Sequence, residues 1–204
     1  MTPVDYYFIC SSPFAYLGHT AFHELAAQYG LVIRYKPISI MGVWEKSGSV
    51  PLPKRTPVRQ RYRRIELQRI ADMRGLPLNL EPKFFPVDPT LADCCVIALV
   101  ERGEDPAGFV WRVHQGVWAQ EENIADPAQL AAYLAGEGLN ADAVLAQARA
   151  PQSTDILARN TVEATEVDAI GAPVYVLGGE PFWGQDRLDH LAHALKTGRE
   201  PFRA

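Results

Sequence analysis

Hydrophobic positions change period several times along the chain, and the changes divide it into elements. Val4 to Cys10 (VDYYFIC) is aromatic and β-branched, which predicts a strand. Ser11-Ser12-Pro13 follows, and then Tyr16, Leu17, Phe22, Leu25, Ala26 and Tyr29 fall at helical spacing up to Gly30. Leu31 to Ile38 reads as a second strand. The opening is therefore β-α-β, expected to be parallel with a right-handed crossover. Residues 39–57, with Gly42, Gly48, Pro51, Pro53 and Pro57, read as an irregular loop.

Beyond that loop the texture is helical. Helices are expected over Val58–Arg74, Leu91–Glu101, Pro106–Ala119, Pro127–Leu134, Ala141–Ala148 and Gln152–Val167. Asp-Pro pairs at 88–89, 105–106 and 126–127 punctuate them, as capping carboxylates with proline in the first turn. Strand character returns at Val174–Leu177, and Glu180–Trp183 pairs with it across Gly178-Gly179. A last helix is expected from Gln185 to Leu195. The order βαβ, helical block, ββα predicts an α/β protein with a thioredoxin-like sheet and a large all-helical insertion. Residues 1–38 and 171–204 would form the thioredoxin-like domain, and residues 39–170 the connecting loop and helical insertion domain.

Composition narrows the function classes. A chain of 204 residues can bury about 70% of its unfolded surface and needs no covalent staples. The net charge of -4 gives no overall attraction to nucleic acid or anionic membrane. Cys10, Cys94 and Cys95 form no C-x-x-C pair, the usage of a reducing compartment. Met1 to Phe8 has no basic leader region, and the apolar run Cys94–Val100 is too short to span a bilayer, so a cytoplasmic location is expected. His19 with His23, and His190 with His193, have helical spacing without a third ligand, so no metal is expected. Cys10 reads as a small buried hydrophobe whose nearness to Ser12 exposes it to oxidation.

Charge is uneven along the chain. Between Lys54 and Arg74 lie cations at 54, 55, 59, 61, 63, 64, 69 and 74, opposed only by Glu66 and Asp72. Such a run either draws in an anionic small molecule or forms a solvated face with internal pairs.

Two helix starts carry the candidate chemistry. Ser12 stands where a strand hands over to a helix, and either it or Ser11 can cap that helix. Unpaired N–H groups and the positive dipole end favour an anion there, and a hydroxyl can donate to it; a thiol so placed would ionise more easily. Gly171-Ala172-Pro173-Val174 enters a strand through an X-Pro bond that the local pattern leaves cis or trans. In a thioredoxin-type fold this segment faces the first helix start, and the main chain of Val174 would pair with an extended peptide. In Phe182-Trp183-Gly184-Gln185-Asp186-Arg187-Leu188, the N–H groups of Gln185 and Asp186 suit a carboxylate and the Asp186 side chain suits an amine, or the segment is an ordinary acidic first turn.

Taken together, Asp5-Tyr-Tyr-Phe with Ser12-Pro13-Phe14-Ala15-Tyr16-Leu17, Gly171-Ala172-Pro173-Val174, and Trp183-Gly184-Gln185-Asp186-Arg187-Leu188 resemble the bacterial 2-hydroxychromene-2-carboxylate isomerases, relatives of kappa-class glutathione transferases and DsbA-like proteins. Arg61-Tyr62, Leu67-Gln68-Arg69 and Gly75-Leu76-Pro77 extend the likeness over most of the chain.

The resemblance implies glutathione as cofactor, with Ser12 activating its sulfur. It implies that Val174 holds the cysteinyl backbone after a cis proline, that Gln185 and Asp186 hold the γ-glutamyl end, and that Trp183 and Gly184 belong to the same cofactor site. It implies an unsaturated aromatic acid as substrate, isomerised by thiolate addition, bond rotation and elimination, and a possible homodimer. Trp44, Lys54, Arg55, Arg59 and Phe84 are the expected substrate-side residues. Ile9, Trp44, Phe84 and the Ser47–Pro51 loop depart from the family pattern, so the glutathione half matches better than the substrate half. Two alternatives share the scaffold: a kappa-like transferase conjugating electrophiles, and a non-catalytic glutathione-binding protein. A disulfide oxidoreductase needs sulfur in the run Ser12-Pro13-Phe14-Ala15, which has none.

Overall fold

The computed structural model describes residues 2–203; Met1, at the head of the segment read for a leader, lies outside them. Strand β1 (Thr2–Phe8), helix α1 (Pro13–Tyr29) and strand β2 (Leu31–Pro37) form the expected opening unit. The helices that follow are α2 (Ile40–Ser47), α3 (Pro57–Arg74), α4 (Thr90–Glu101), α5 (Ala107–Trp118), α6 (Pro127–Gly136), α7 (Ala141–Ala148) and α8 (Pro151–Glu166). Strands β3 (Val174–Leu177) and β4 (Glu180–Trp183), a 3-10 turn at Gln185–Arg187 and helix α9 (Leu188–Thr197) close the fold. The sheet order is β2-β1-β3-β4. β1 and β2 are parallel with Val4 opposite Ile33, and β3 is antiparallel to both of its neighbours. This is a thioredoxin-like sheet carrying a helical insertion.

Alternation along β1 sorts the core into two faces. Val4, Tyr6 and Phe8 face α1 and the helical block, where Tyr6 stacks on Tyr175 at 5.4 Å and on Phe8 at 4.4 Å. Tyr7 points the other way, into a smaller cluster with Ile38, Val43, Ala164, Val174 and Val176 beneath α2 and α8. The larger apolar cluster runs without a break from the sheet through α4 to Val144 and Leu145 on α7. Helix α4 is buried from Ala92 to Leu99, which accounts for the all-apolar run read in the sequence.

The irregular loop expected over 39–57 is corrected. It contains α2 and a 3-10 turn at Leu52–Lys54. Gly42 suggested a break because a glycine inside a helix is unfavourable. Its place is set by packing: a Cβ there would lie 2.7 Å from Thr161 Cγ2 on α8. Thr161 cannot yield easily, because its hydroxyl accepts from Ser39 N at 2.9 Å and donates to Leu157 O at 2.7 Å.

Imidazoles from two helices are packed beside this core. His19 on α1 stacks on Trp111 and lies edge-on to His114 on α5, with ring centroids 5.2 and 5.7 Å away. Burial is the leading cause holding His114 neutral, its pKa pushed down to about 3, and it pushes His19 well below the usual histidine value. An unfolded chain takes up protons near pH 6.5 while these rings do not, so their contribution is full above that pH and is lost as pH falls towards 3. Buried Asp93 acts in the opposite direction, so a variant isolates the effect. From pH 7.5 to pH 5 the free energy of unfolding in urea should fall by about 2 kcal/mol more in the parent than in His114→Leu. Parallel pH profiles for the two proteins would show that His114 is not held neutral.

Candidate functional site

Ser12 caps α1. Its Oγ accepts from Ala15 N at 3.2 Å and its carbonyl accepts from Tyr16 N at 3.0 Å, which settles the choice between Ser11 and Ser12. Pro13 brings no N–H, so among the described residues the Phe14 N–H is the one donor of the first turn left without a partner. A capping hydroxyl that accepts from the helix keeps its own proton to donate. Capping and anion binding are therefore compatible at Ser12. The turn beneath it is rigid: Ser12 N donates to Ile9 O at 3.0 Å, and Cys10 N donates to Asp93 Oδ1 on α4 at 2.8 Å. Cys10 is wholly buried and burial raises its thiol pKa, so the expected liability to oxidation is not found.

The Ala172–Pro173 bond is cis. Val174 lies inside the sheet, opposite Tyr7 on one side and Trp183 on the other, and Gly184 N donates to Pro173 O at 2.8 Å. Its main chain is thus committed to the ladder and presents no free edge for an added strand. Ala172, one residue before the proline, makes no main-chain hydrogen bond among the described residues. Gly171 lies under the Trp183 indole, where a Cβ would come within 2.9 Å of Nε1.

Gly184 has φ +97°, a conformation that favours glycine, and it turns the chain into the 3-10 turn. Gln185 is buried and its Oε1 accepts from Arg74 Nη2 at 3.3 Å. Asp186 is exposed and pairs with Arg187 at 2.7 Å. Among the described residues, two polar groups at this junction are buried without partners, Arg74 Nε and the Tyr175 hydroxyl. Arg74 makes no ion pair among the described residues. The sequence counted Arg74 only as part of a basic run; its closeness to Gln185, 111 positions away, had no local signal.

The substrate-side expectations divide. Trp44 and Arg55 come together, the guanidinium 5.3 Å from the indole, beside a hollow lined by Met41, Trp44 and Ser49. Lys54 ends the 3-10 turn, Arg59 is exposed on the first turns of α3, and Phe84 lies against Lys83 at 5.1 Å. A separate cavity of about 230 Å³ is lined by Gln60 and Arg63 on α3, by Leu80 and Phe85, and by Trp118 at the end of α5. None of Trp44, Lys54, Arg55, Arg59 and Phe84 lines it. Arg63 lies 5.8 Å from the ring of Phe14, two residues after Ser12. Among the described residues no group of histidine, cysteine and carboxylate side chains is arranged to hold a metal ion, and no helix is long and apolar enough to cross a membrane.

A thioredoxin-type sheet with a serine at the head of its first helix and a cis proline entering β3 defines a protein of the thioredoxin superfamily. The chain belongs to the family described as a DSBA-like thioredoxin domain, which matches residues 3–196. It is 30% identical over 194 residues to the 2-hydroxychromene-2-carboxylate isomerase of Sphingobium xenophagum, covering 94% of this chain and 97% of that one. It is 27% identical to glutathione S-transferase kappa 1 of Caenorhabditis elegans over 208 residues, 95% of this chain and 90% of the relative. A solved structure of a 2-hydroxychromene-2-carboxylate isomerase superposes with a TM-score of 0.78 at 28% identity, covering 96% of this chain and 95% of that one.

The junction of α1 with the Gln185 turn is tight enough to test. A Cβ at Gly18 would lie 2.6 Å from Gln185 Cβ and 3.0 Å from the Tyr175 hydroxyl. Alanine normally gains about 1 kcal/mol over glycine inside a helix, whereas forced overpacking costs about 1–3 kcal/mol. Gly18→Ala should therefore unfold at lower urea, with a net loss of up to about 2 kcal/mol. A variant more stable than the parent would mean that α1 and the Gln185 turn are not in this contact.

Proposed function

We propose that the protein is a glutathione-dependent isomerase acting on an unsaturated aromatic acid of the 2-hydroxychromene-2-carboxylate type. The observation that carries this reading is Ser12, whose oxygen caps α1 while its proton stays free, beside the unpaired Phe14 N–H. A thiolate at this place meets two donors and the positive end of a 17-residue helix. Each unit by which the thiol pKa falls is about 1.4 kcal/mol of preference for the thiolate.

Glutathione fits the donor set on two further counts. Arg74, with its buried Nε unpartnered, and Gln185 suit the γ-glutamyl carboxylate, and the Asp186 carboxylate suits its amine. The unpaired main chain of Ala172, with Trp183 flanking the cis-proline turn, suits the cysteinyl backbone. Val174 then contributes by fixing that turn in the sheet. When bound, glutathione supplies a thiolate that adds reversibly to a conjugated double bond. Ser12 and Phe14 hold the sulfur charge, Pro13 and the cap keep α1 in register, and the Asp93–Cys10 bond keeps the turn from moving as charge shifts.

A kappa-type transferase is the second reading, favoured by the 27% identity to glutathione S-transferase kappa 1. It uses the same thiolate and differs in consuming glutathione. Isomerisation of an aromatic enoate without net loss of glutathione separates the two.

Ser12→Ala tests the shared step. It should lower fold stability by only about 1 kcal/mol, the worth of a cap. The pH midpoint of glutathione thiolate absorbance on the protein should rise by about one unit or more, and turnover should fall with it. An unchanged midpoint would remove Ser12 from thiolate activation.

A further inference from the structure

We infer that the cavity between α3 and the Leu80–Phe85 segment seats an aromatic monocarboxylate, with the Arg63 guanidinium gripping the carboxylate and Trp118 forming part of the apolar wall against its ring. The inference rests on the isomerase reading for the reaction that follows, and it names the residues that recognise the acid.

Of the two cations lining the cavity, Arg63 and Arg64, one has an anionic partner among the described residues. Gln60 Nε2 donates to Arg55 O at 2.8 Å, and Arg64 pairs with Glu81 at 2.8 Å. Arg63 makes no hydrogen bond or ion pair among the described residues, although it is partly buried. Trp118 is 1% exposed and contributes a ring face to the wall rather than its buried Nε1. A guanidinium is a donor without acceptor capacity, so the ligand that satisfies Arg63 must supply acceptors. Burial, with Arg55 and Arg64 nearby, pushes the Arg63 pKa down to about 10, which leaves it charged at neutral pH. A desolvated cation without an anion is costly, and a guanidinium matches a carboxylate with two parallel hydrogen bonds.

Size and charge narrow the ligand. The cavity holds about 230 Å³, below the range of about 300–1,000 Å³ usual for drug-sized ligands. Its apolar walls are Leu52, Leu80 and the Phe85–Trp118 pair, whose ring centroids are 4.7 Å apart. Arg63 and Arg64 against Glu81 leave one positive charge, which suits a monoanion better than a phosphate dianion. Arg63 also lies over Phe14, so a carboxylate held there stands close to the turn that carries Ser12.

The test is calorimetric titration of the full chain with 2-naphthoate and, separately, with uncharged 2-naphthamide, both without glutathione. The parent should bind naphthoate at least about tenfold more tightly than the amide. Arg63→Met should lower naphthoate affinity about tenfold, leave amide affinity unchanged and not lower the melting temperature, and Arg63→Lys should retain part of the naphthoate affinity. Equal naphthoate affinity in the parent and Arg63→Met, or no binding to the parent at about millimolar ligand, would overturn the inference. Glutathione titrated into the same two proteins reports on the isomerase reading separately, because Arg63→Met should leave that affinity unchanged.

Discussion

A single buried carboxyl group holds the end of β1, and the candidate site hangs from it. Beyond Phe8 the strand loses its neighbours: Ile38 N makes the last bond to β1, at Phe8 O, and the Cys10 N–H would be left without a partner. A buried N–H in that position costs about 1–3 kcal/mol. Asp93 supplies the acceptor from α4, 83 positions away, and the turn that follows can then close through Ser12 N and Ile9 O. The carboxyl is 1% exposed and burial raises its pKa to about 7. Its contribution to stability is therefore full below about pH 4 and diminishes as pH rises through 7. A protonated carboxyl still accepts through its carbonyl oxygen, so the bond to Cys10 survives in both forms.

That anchor lets Ser12 serve two purposes that compete in a mobile turn. A cap is worth about 1 kcal/mol and needs only the serine oxygen. Anion binding needs the proton, and needs it aimed in a fixed direction. With the oxygen committed to Ala15 and the turn tied to Ile9 and Asp93, the hydroxyl has a narrowed choice of directions. The same logic applies to the Gln185 turn, where Gly18 brings α1 close to Gln185 and Tyr175 from β3, at contacts no larger residue would allow. Helix start and cis-proline strand are thus fixed relative to each other by packing.

Much of this was legible in the sequence where the signal is local. Period changes located all four strands and most helices, and the Ser-Pro step marked the head of α1. The misreadings share a cause: a residue was judged by its neighbours in sequence when its partner was distant. Gly42 looked like a breaker because nothing nearby announces Thr161. The pairing of Val174 on both sides could not be read locally either, because it depends on the strand order. Cys10 looked vulnerable because its lid comes from α4. Trp118 carried no local signal, and Arg63 carried only its place in the basic run, since an unpartnered group is defined only by everything around it.

The basic run of α3 shows how spacing becomes chemistry once the surroundings are known. Arg64 and Arg69 are matched by Glu81 and Glu66, and Arg55 by the face of Trp44. Lys54, Arg59 and Arg61 are exposed to solvent; of the less exposed cations, Arg63 and Arg74 are left without an anion among the described residues, and they lie 11 residues apart, which at about 100° per residue returns to nearly the same side of the helix. That side is the buried one: Leu67, Ile70 and Ala71 lie between them and pack into the core. The two unmatched guanidiniums therefore stand at the ends of an inward-facing stripe, about 16 Å apart along the axis. A solvated face would have placed them outward. Cations turned inward at both ends of that stripe, one beside Gln185 and one over Phe14, call for two separate anionic groups. Under the reading proposed above these are the γ-glutamyl carboxylate and the substrate's own acid, with the Ser12 turn serving the sulfur that must act on the substrate.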